Sequence, residues 1–163
     1  MSKVAFSPCF CNEELFVTLA KDYIEELAKY DCTIKWDEEA VRQWAWNSDF
    51  ILEDGELSGF VYAECPTIKD DEYLYIAEFY IIPKARRHGL GYEAARMATE
   101  FWDGNIFLYI LDRNETAKNF WTTVEQRLGW KRIEEPEIIR ESGCELRVFE
   151  KEKGNVSGDN ETE

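Results

Sequence analysis

Tyr73–Met97 reads YLYIAEFYIIPKARRHGLGYEAARM, and the order of the signals within it decides how the chain folds. Tyr73 to Ile82 is an apolar run rich in aromatic and β-branched residues, the pattern of a buried strand. Pro83 ends that strand, because it has no backbone N–H to give to a ladder. Arg86-Arg87-His88-Gly89-Leu90-Gly91 follows, three basic or titratable side chains and then two glycines one residue apart. From Tyr92 the spacing predicts a helix with Ala94, Ala95, Met97, Ala98 and Trp102 on its packed face, stopping near Asp103-Gly104. A strand, a glycine loop and a helix start in that order make an anion cradle. The N–H groups of the loop and first helical turn lack intrahelical partners, and the helix dipole adds partial positive charge there. Glycine lets the backbone approach an anion without a Cβ in the way.

On the N-terminal side, a short strand is expected near Lys3 to Phe6. Asn12 is placed as a helix N-cap with Glu13 and Glu14 in the first turn, where the dipole favours negative charge. Leu15, Phe16, Leu19, Ala20, Tyr23, Ile24, Leu27 and Ala28 continue at helical spacing to about Tyr30. Thr33 to Trp36 is read as an extended piece, and Asp37 caps a second helix through about Trp46. Phe50 to Glu53, Asp54-Gly55 and Leu57 to Glu64 form a hairpin signal. On the C-terminal side come a strand over Asn105–Leu111, a helix from about Thr116 to Leu128 ended by Gly129, a strand over Trp130–Glu134, a polar connection, and a last strand over Cys144–Glu150. The sum is one α/β domain over residues 1–150, a mixed and mostly antiparallel central sheet flanked by helices. Residues 151–163, KEKGNVSGDNETE, read as a disordered acidic tail.

The chain has 163 residues, 45 % of them hydrophobic and 15 % aromatic, which suits a globular domain with a sizeable core. Its formal net charge of -15 disfavours nucleic-acid phosphates and anionic membranes as partners and favours cations such as amines, although acidity for solubility alone is an equally weighted reading. The basic cluster of Lys84, Arg86, Arg87 and His88 reverses that field locally. No apolar stretch is long enough to span a bilayer, and the N-terminal residues lack a signal-peptide core. Five cysteines, Cys9, Cys11, Cys32, Cys65 and Cys144, show no repeating spacing, and His88 is the only histidine. Free thiols in a reducing cytoplasm are favoured over a C-x-C metal site, and no metal is expected.

Arg86, Gly89 and Gly91 form R-x-x-G-x-G three residues after a strand-ending proline, and Asn114, Ala117, Phe120-Trp121 and Gly129-Trp130 form a second element. The two, in this order and with one helix and one strand between them, resemble the cofactor elements of the GNAT superfamily of acyl-CoA-dependent N-acetyltransferases. The resemblance covers about Phe50 to Glu150. It implies acetyl-CoA as cosubstrate, with the pyrophosphate held by the amides from Arg87 through His88, Gly89, Leu90 and Gly91 to Tyr92 and charge supplied by Arg86 or Arg87. It implies pantetheine and thioester contacts to backbone near Tyr80, Ile81 and Ile82, where the family's strand splays from its neighbour. Asn114, with Ala117, Phe120 and Trp121 beside it, would face the cofactor, or Asn114 would simply cap a helix. The first two helices commonly shape the acceptor site, so Trp44 and Trp46 either line a pocket or pack on the sheet. Dimers are frequent among proteins similar to this one, so a homodimer is one expected assembly.

Acyl transfer from a thioester to an amine needs a neutral amine, donors for the developing oxyanion and a route for the leaving thiolate. Glu78 is the carboxylate nearest the cofactor loop on the central strand, and burial there would raise its pKa into the range of a general base; a strand-edge ion pair is the competing role. Alternation predicts Glu78 and Tyr80 on one face, opposite Tyr75, Ala77, Phe79 and Ile81. Many family members place a tyrosine where this chain has Trp121, and an indole is no proton source. Tyr80, Tyr75 and Tyr109 are unranked substitutes for that acid, with Tyr80 carried as catalytic beside Glu78. The leading function is acetyl transfer to a primary amine, on a small molecule or a lysine-bearing partner, by direct attack. The alternative is a GNAT-fold binding or interaction module without turnover, and a nucleic-acid mimic ranks last because the charge is spread along the chain.

Overall fold

The Tyr73–Ile82 run forms the middle strand of a seven-stranded sheet in a computed structural model that describes residues 2–151. The chain begins with β1 (Val4–Pro8), a short 3-10 turn, α1 (Glu13–Leu27) and α2 (Glu38–Trp44). Asn12 and Asp37 cap the two helices as expected, their Oδ1 atoms accepting from the N–H of Leu15 at 3.3 Å and of Ala40 at 3.1 Å. α1 stops three residues short of the predicted Tyr30 because its last turn tightens: Lys29 and Tyr30 donate to Glu26 and Leu27, not one residue further back. Thr33–Trp36 is not a strand. Asp31 accepts from both the N–H and the hydroxyl of Thr33, so the chain turns at Cys32 and Thr33, and Ile34 to Trp36 follow without pairing to a strand.

β2 (Ser48–Glu53) and β3 (Glu56–Glu64) make the predicted hairpin, with Asp54 and Gly55 both at positive φ in a turn whose twist matches the strands. A two-stranded ribbon, β4 (Thr67–Ile68) and β5 (Asp71–Glu72), leads into β6 (Leu74–Ile81). Then come α3 (Leu90–Thr99), β7 (Ile106–Leu111), α4 (Glu115–Leu128), β8 (Lys131–Ile133) and β9 (Cys144–Glu150). The sheet order is β1-β2-β3-β6-β7-β9-β8, antiparallel throughout except for β6 and β7. That parallel contact is confined to Leu74 opposite Ile106 and Tyr75 opposite Phe107. Beyond Tyr75 the two strands part company.

One face of the sheet is covered by α3 and α4, whose Leu90, Ala94, Ala95, Trp121 and Val124 pack on Ile81, Ile106, Leu108 and Phe149. The other face is covered in two halves. α1 and α2 lie over Phe50, Phe60 and Tyr80, while the β8–β9 connection lays Ile138 on Tyr73, Phe107 and Val148. Phe16 sits edge-on to Phe60 with centroids 5.1 Å apart, and each such aromatic contributes about 1.5–3 kcal/mol by burial alone. α3 ends four residues before the expected Asp103, and its terminal carbonyls receive Lys151 Nζ, at 2.7 Å from Thr99 O and 2.7 Å from Trp102 O. Lys151 therefore belongs to the folded body and not to a tail; the rest of the expected tail, 152–163, lies outside the described residues.

A bulge at Ala77 corrects the expected alternation along β6. Tyr62 pairs with Glu78 and Ala63 with Ile76, so Ala77 is an extra residue. Tyr75, opposite Glu64, therefore shares a face with Glu78 and Tyr80 instead of lying opposite them, while Phe79 and Ile81 join Leu74 and Ile76 on the α3 side. β3 can approach this strand only through Gly59, where an added Cβ would stand 2.0 Å from the carbonyl oxygen of Tyr80. Gly59→Ala is therefore expected to destabilise the protein by about 1–3 kcal/mol, read as a lower urea midpoint at unchanged slope; an unchanged midpoint would show that β6 yields without cost.

Candidate active site

The loop between β6 and α3 is shaped by two left-handed residues. Arg87 has φ 71° and Gly89, the N-cap of α3, has φ 88°, with open space where a Cβ would stand at Gly89. Successive N–H groups in such a conformation form an anion-binding nest. Among the described residues, the amides of Arg87, His88, Gly89, Leu90, Gly91 and Tyr92 have no backbone acceptor. Gly91 has a different reason to be glycine, since a Cβ there would meet the Phe120 ring at 2.9 Å. It lets α3 lie against α4. Leu90 is buried in the core, and the Arg127 guanidinium lies 3.7 Å from the centroid of Tyr92.

The basic side chains of this loop are mostly committed elsewhere. Arg86 turns back: its Nε donates to Ile81 O at 2.7 Å, its Nη2 pairs with Glu26 of α1 at 2.7 Å, and its guanidinium lies 5.6 Å from the Tyr80 ring centroid. His88 Nε2 lies 2.8 Å from Glu53, and that hydrogen bond raises its pKa. Arg87 makes no ion pair among the described residues. Of the β6 backbone groups expected to face a ligand, the Ile82 N–H already donates to Ser58 O at 2.9 Å and the Ile81 carbonyl is held by Arg86. Asn114 is a helix cap, its Oδ1 accepting from Ala117 N–H at 3.1 Å. Phe120 and Trp121 pack on Phe79 with centroids 5.6 and 5.3 Å away, and Trp121 is buried in the core between β6 and α4. A buried indole offers nothing to a thiolate.

Glu78 lies where β6 has lost β7 as a neighbour. It lines a cleft of ≈ 260 Å³ between α1, the 31–37 segment and α2, together with Ile24, Leu27, Val41 and Trp44. Its Oε2 accepts from the Tyr23 hydroxyl, and Oε1 has no hydrogen-bond partner among the described residues. Burial raises its pKa from the ordinary carboxylate value to about 7; the Tyr23 hydroxyl pulls it down and the nearby Glu141 charge pushes it up. Tyr23 itself is pushed well above its usual range by burial and by Glu78. Sequence reasoning placed Tyr23 only on the packed face of α1. A tyrosine there needs a partner for its hydroxyl, which was the one available signal.

Other expected residues fall away from this cleft. Tyr80 is buried between Tyr23 and Phe60 and does not line the cleft, and its pKa rises through burial and through Glu26 and Asp22 of α1. Trp44 lines the cleft and stacks on Tyr62 at 5.7 Å. Trp46 does not line it: α2 gives way to a 3-10 turn at Ala45, and Trp46 stands exposed on the surface, stacked on Phe10. Burial and the Glu72 charge raise the pKa of Cys65, the reverse of what a nucleophilic thiol needs. Among the described residues no cluster of three or more His, Cys, Asp or Glu could hold a metal ion, and no helix is long and apolar enough to cross a membrane.

The model of the acetyltransferase (GNAT) family matches residues 12–125, well over half of the chain. A search of curated protein sequences found no match. Solved structures with the same fold include diaminobutyrate acetyltransferase EctA from Paenibacillus lautus in complex with L-2,4-diaminobutyric acid and coenzyme A, at 12% identity and TM-score 0.64 over 93% of this chain and 96% of that one. The NatC complex bound to Gag peptide and CoA matches at 14% identity and TM-score 0.62 over 90% and 96%. An aminoglycoside acetyltransferase from an uncultured soil metagenomic sample matches at 13% identity and TM-score 0.56 over 85% and 97%. The left-handed Gly89, the unpartnered loop amides and the Gly91–Phe120 contact fit the acetyl-CoA that this fold's relatives use, and the chain belongs to the GNAT family of acetyltransferases.

Proposed function

We propose that this protein transfers an acetyl group from acetyl-CoA to a primary amine by direct attack, with Glu78 as the general base. The observation that carries the reading is the placement of Glu78: a carboxylate with a pKa of about 7, one oxygen without a partner, in a cleft beside the opening between β6 and β7. The relatives bound to a peptide or to diaminobutyric acid support an amine as acceptor, and the net charge of -15 supports attracting one.

Bound acetyl-CoA supplies the activated acyl carbon. The chain's own residues do the rest. The amides from Arg87 to Tyr92, at the N-terminus of α3, hold the pyrophosphate, with Arg87 adding charge. Backbone N–H groups on the edge of β6 that β7 leaves free donate to the thioester oxygen as it gains negative charge. Glu78 Oε1 takes the proton from the amine as its nitrogen bonds to the acyl carbon, while the Tyr23 hydroxyl fixes Oε2 and so the orientation of the carboxyl group. The carbon–sulfur bond then breaks with its electron pair on sulfur. An ordinary thiol has a pKa of about 8.5, so this leaving group departs near neutral pH without a strong acid. That removes the need for a tyrosine at Trp121. The buried Trp121 also favours a second reading, a protein that binds CoA and does not turn over. Five free cysteines support a reducing compartment, the cytoplasm.

Calorimetry with acetyl-CoA tests the cradle. Micromolar binding, weakened at least tenfold in Gly89→Glu, is expected, with a somewhat lower melting temperature because Gly89 is left-handed but with the variant folded at the assay temperature; equal binding by the folded variant would remove the loop from the site. Release of thiol on adding amines then separates the enzyme from the binding module.

Glu78 gives a pH signature. Its folded pKa of about 7 lies above the unfolded value of 4.5, so its contribution to stability is complete below pH 4.5 and is lost as pH rises through 7. Glu78→Gln should remove that slope from urea unfolding measured between pH 4.5 and 8. The same substitution should lower kcat by about 10²-fold or more and abolish the rising limb of kcat/KM near pH 7. Tyr23→Phe removes a bond that lowers the Glu78 pKa and should move both midpoints upward. A wild-type limb that survives in Glu78→Gln would assign the base elsewhere.

A further inference from the structure

The cleft that holds Glu78 also has a composition that selects its occupant. Ile24, Leu27, Ile34, Ala40, Val41 and Trp44 make up its walls, and the only other polar side chains lining it are Lys35 and Asp37. Both of these are exposed, and Asp37 already spends one oxygen on capping α2. Their charges offset each other. Resting on the acetyltransferase reading above, we propose that the acceptor is a small primary amine on an apolar alkyl or aryl-alkyl body, with Ala40 and Trp44 setting how long and how wide that body can be.

Three observations support this class over polyamines, aminoglycosides and peptides. First, ≈ 260 Å³ lies just below the range of about 300–1,000 Å³ typical of small-molecule pockets, room for one slender group and not for a ring system of several sugars. Second, hydroxyls or a second ammonium carried past exposed Lys35 and Asp37 to the apolar walls would be stripped of water with no partner there to replace it. Third, the walls serve the chemistry. An apolar surrounding lowers the pKa of an amine, so more of it stands neutral with its nitrogen free to attack, and raises that of Glu78, which makes its ionised carboxylate a stronger acceptor for the proton released on attack. Wet, polar walls would leave the amine protonated. Trp44 is fixed against Tyr62, with rings 18° from parallel, which makes it a firm wall and not a movable lid.

The test is a series of amines with acetyl-CoA: ethylamine, propylamine, isopentylamine and 2-phenylethylamine, against spermidine, kanamycin and a heptapeptide with a free N-terminus. The expected result is a rise in kcat/KM of roughly fourfold for each buried methylene along the alkyl series. Isopentylamine or 2-phenylethylamine should exceed each polar acceptor at least tenfold. Ala40 is only half-buried, so Ala40→Phe should fold and fill the cleft, lowering kcat/KM for the two larger apolar amines tenfold or more at unchanged affinity for acetyl-CoA. Trp44→Ala should shift preference toward bulkier apolar amines. A flat alkyl series, a preference for spermidine, kanamycin or the peptide, or an Ala40→Phe variant with unaltered selectivity overturns the proposal. If acetyl-CoA binds and no amine turns over, acetyl transfer itself fails. Calorimetry with isopentylamine alone then decides this inference: binding that Ala40→Phe removes upholds it, and no binding overturns it.

Discussion

The rest of the molecule depends on one short parallel contact. β6 and β7 pair only through Leu74–Ile106 and Tyr75–Phe107, and both Glu78 and the glycine loop lie beyond the point where they separate. Backbone N–H and C=O groups seldom go unpaired in a fold, so a strand that abandons its neighbour in mid-sheet needs another partner along that edge. Two devices hold the strand in this posture. Gly59 allows β3 to press close against Tyr80 from one side. On the α3 face, Phe79, Phe120 and Trp121 pack on one another beneath the opening. Trp121 is thus better understood as filler of the wedge than as a failed acid.

Electrostatics near the loop follow the same logic of position over charge. A solvent-screened ion pair such as His88–Glu53 contributes too little to define a fold. Arg86 matters for a geometrical reason, since it ties α1 through Glu26 to the end of β6 through Ile81 O. That tie joins the helix carrying Tyr23 to the strand carrying Glu78, and it leaves the backbone amides, more than the side chain of Arg86, as the loop's proposed anion-binding groups. A protein with net charge -15 can hold an anion this way because the amides and the α3 dipole act at contact distance, where the long-range field of the surface carboxylates is already screened.

Most of the architecture was legible in the sequence because its signals are local. Asn12, Asp37 and Asn114 sit at helix starts, Asp54-Gly55 at a hairpin turn and Gly129 at a helix end, and each acts within a few residues. What escaped is what one residue or a long loop decides. The bulge at Ala77 adds a single residue and moves Tyr75 to the opposite face of the strand, which strict alternation could not foresee. The Tyr23–Glu78 bond spans 55 positions, so neither partner announces the other. Trp46 read as a helical residue like Trp44, but the change to a tighter turn at Ala45 rotates it out to the surface.

Glu78 is also where the proposed chemistry would cost stability. A carboxyl group held at a pKa of about 7 forgoes, above that pH, on the order of a few kcal/mol relative to one left in water. The Tyr23 hydroxyl returns part of that by bonding one oxygen, yet no basic side chain is brought up to neutralise the charge, although Arg86 and Lys35 are on neighbouring segments. A lysine or arginine paired with Glu78 would make a more stable strand and a useless base, its pKa driven down and its free oxygen occupied. The absence of such a partner among the described residues, in a cleft whose walls are mostly apolar, fits the proposal that the second partner of that carboxylate arrives from outside the chain.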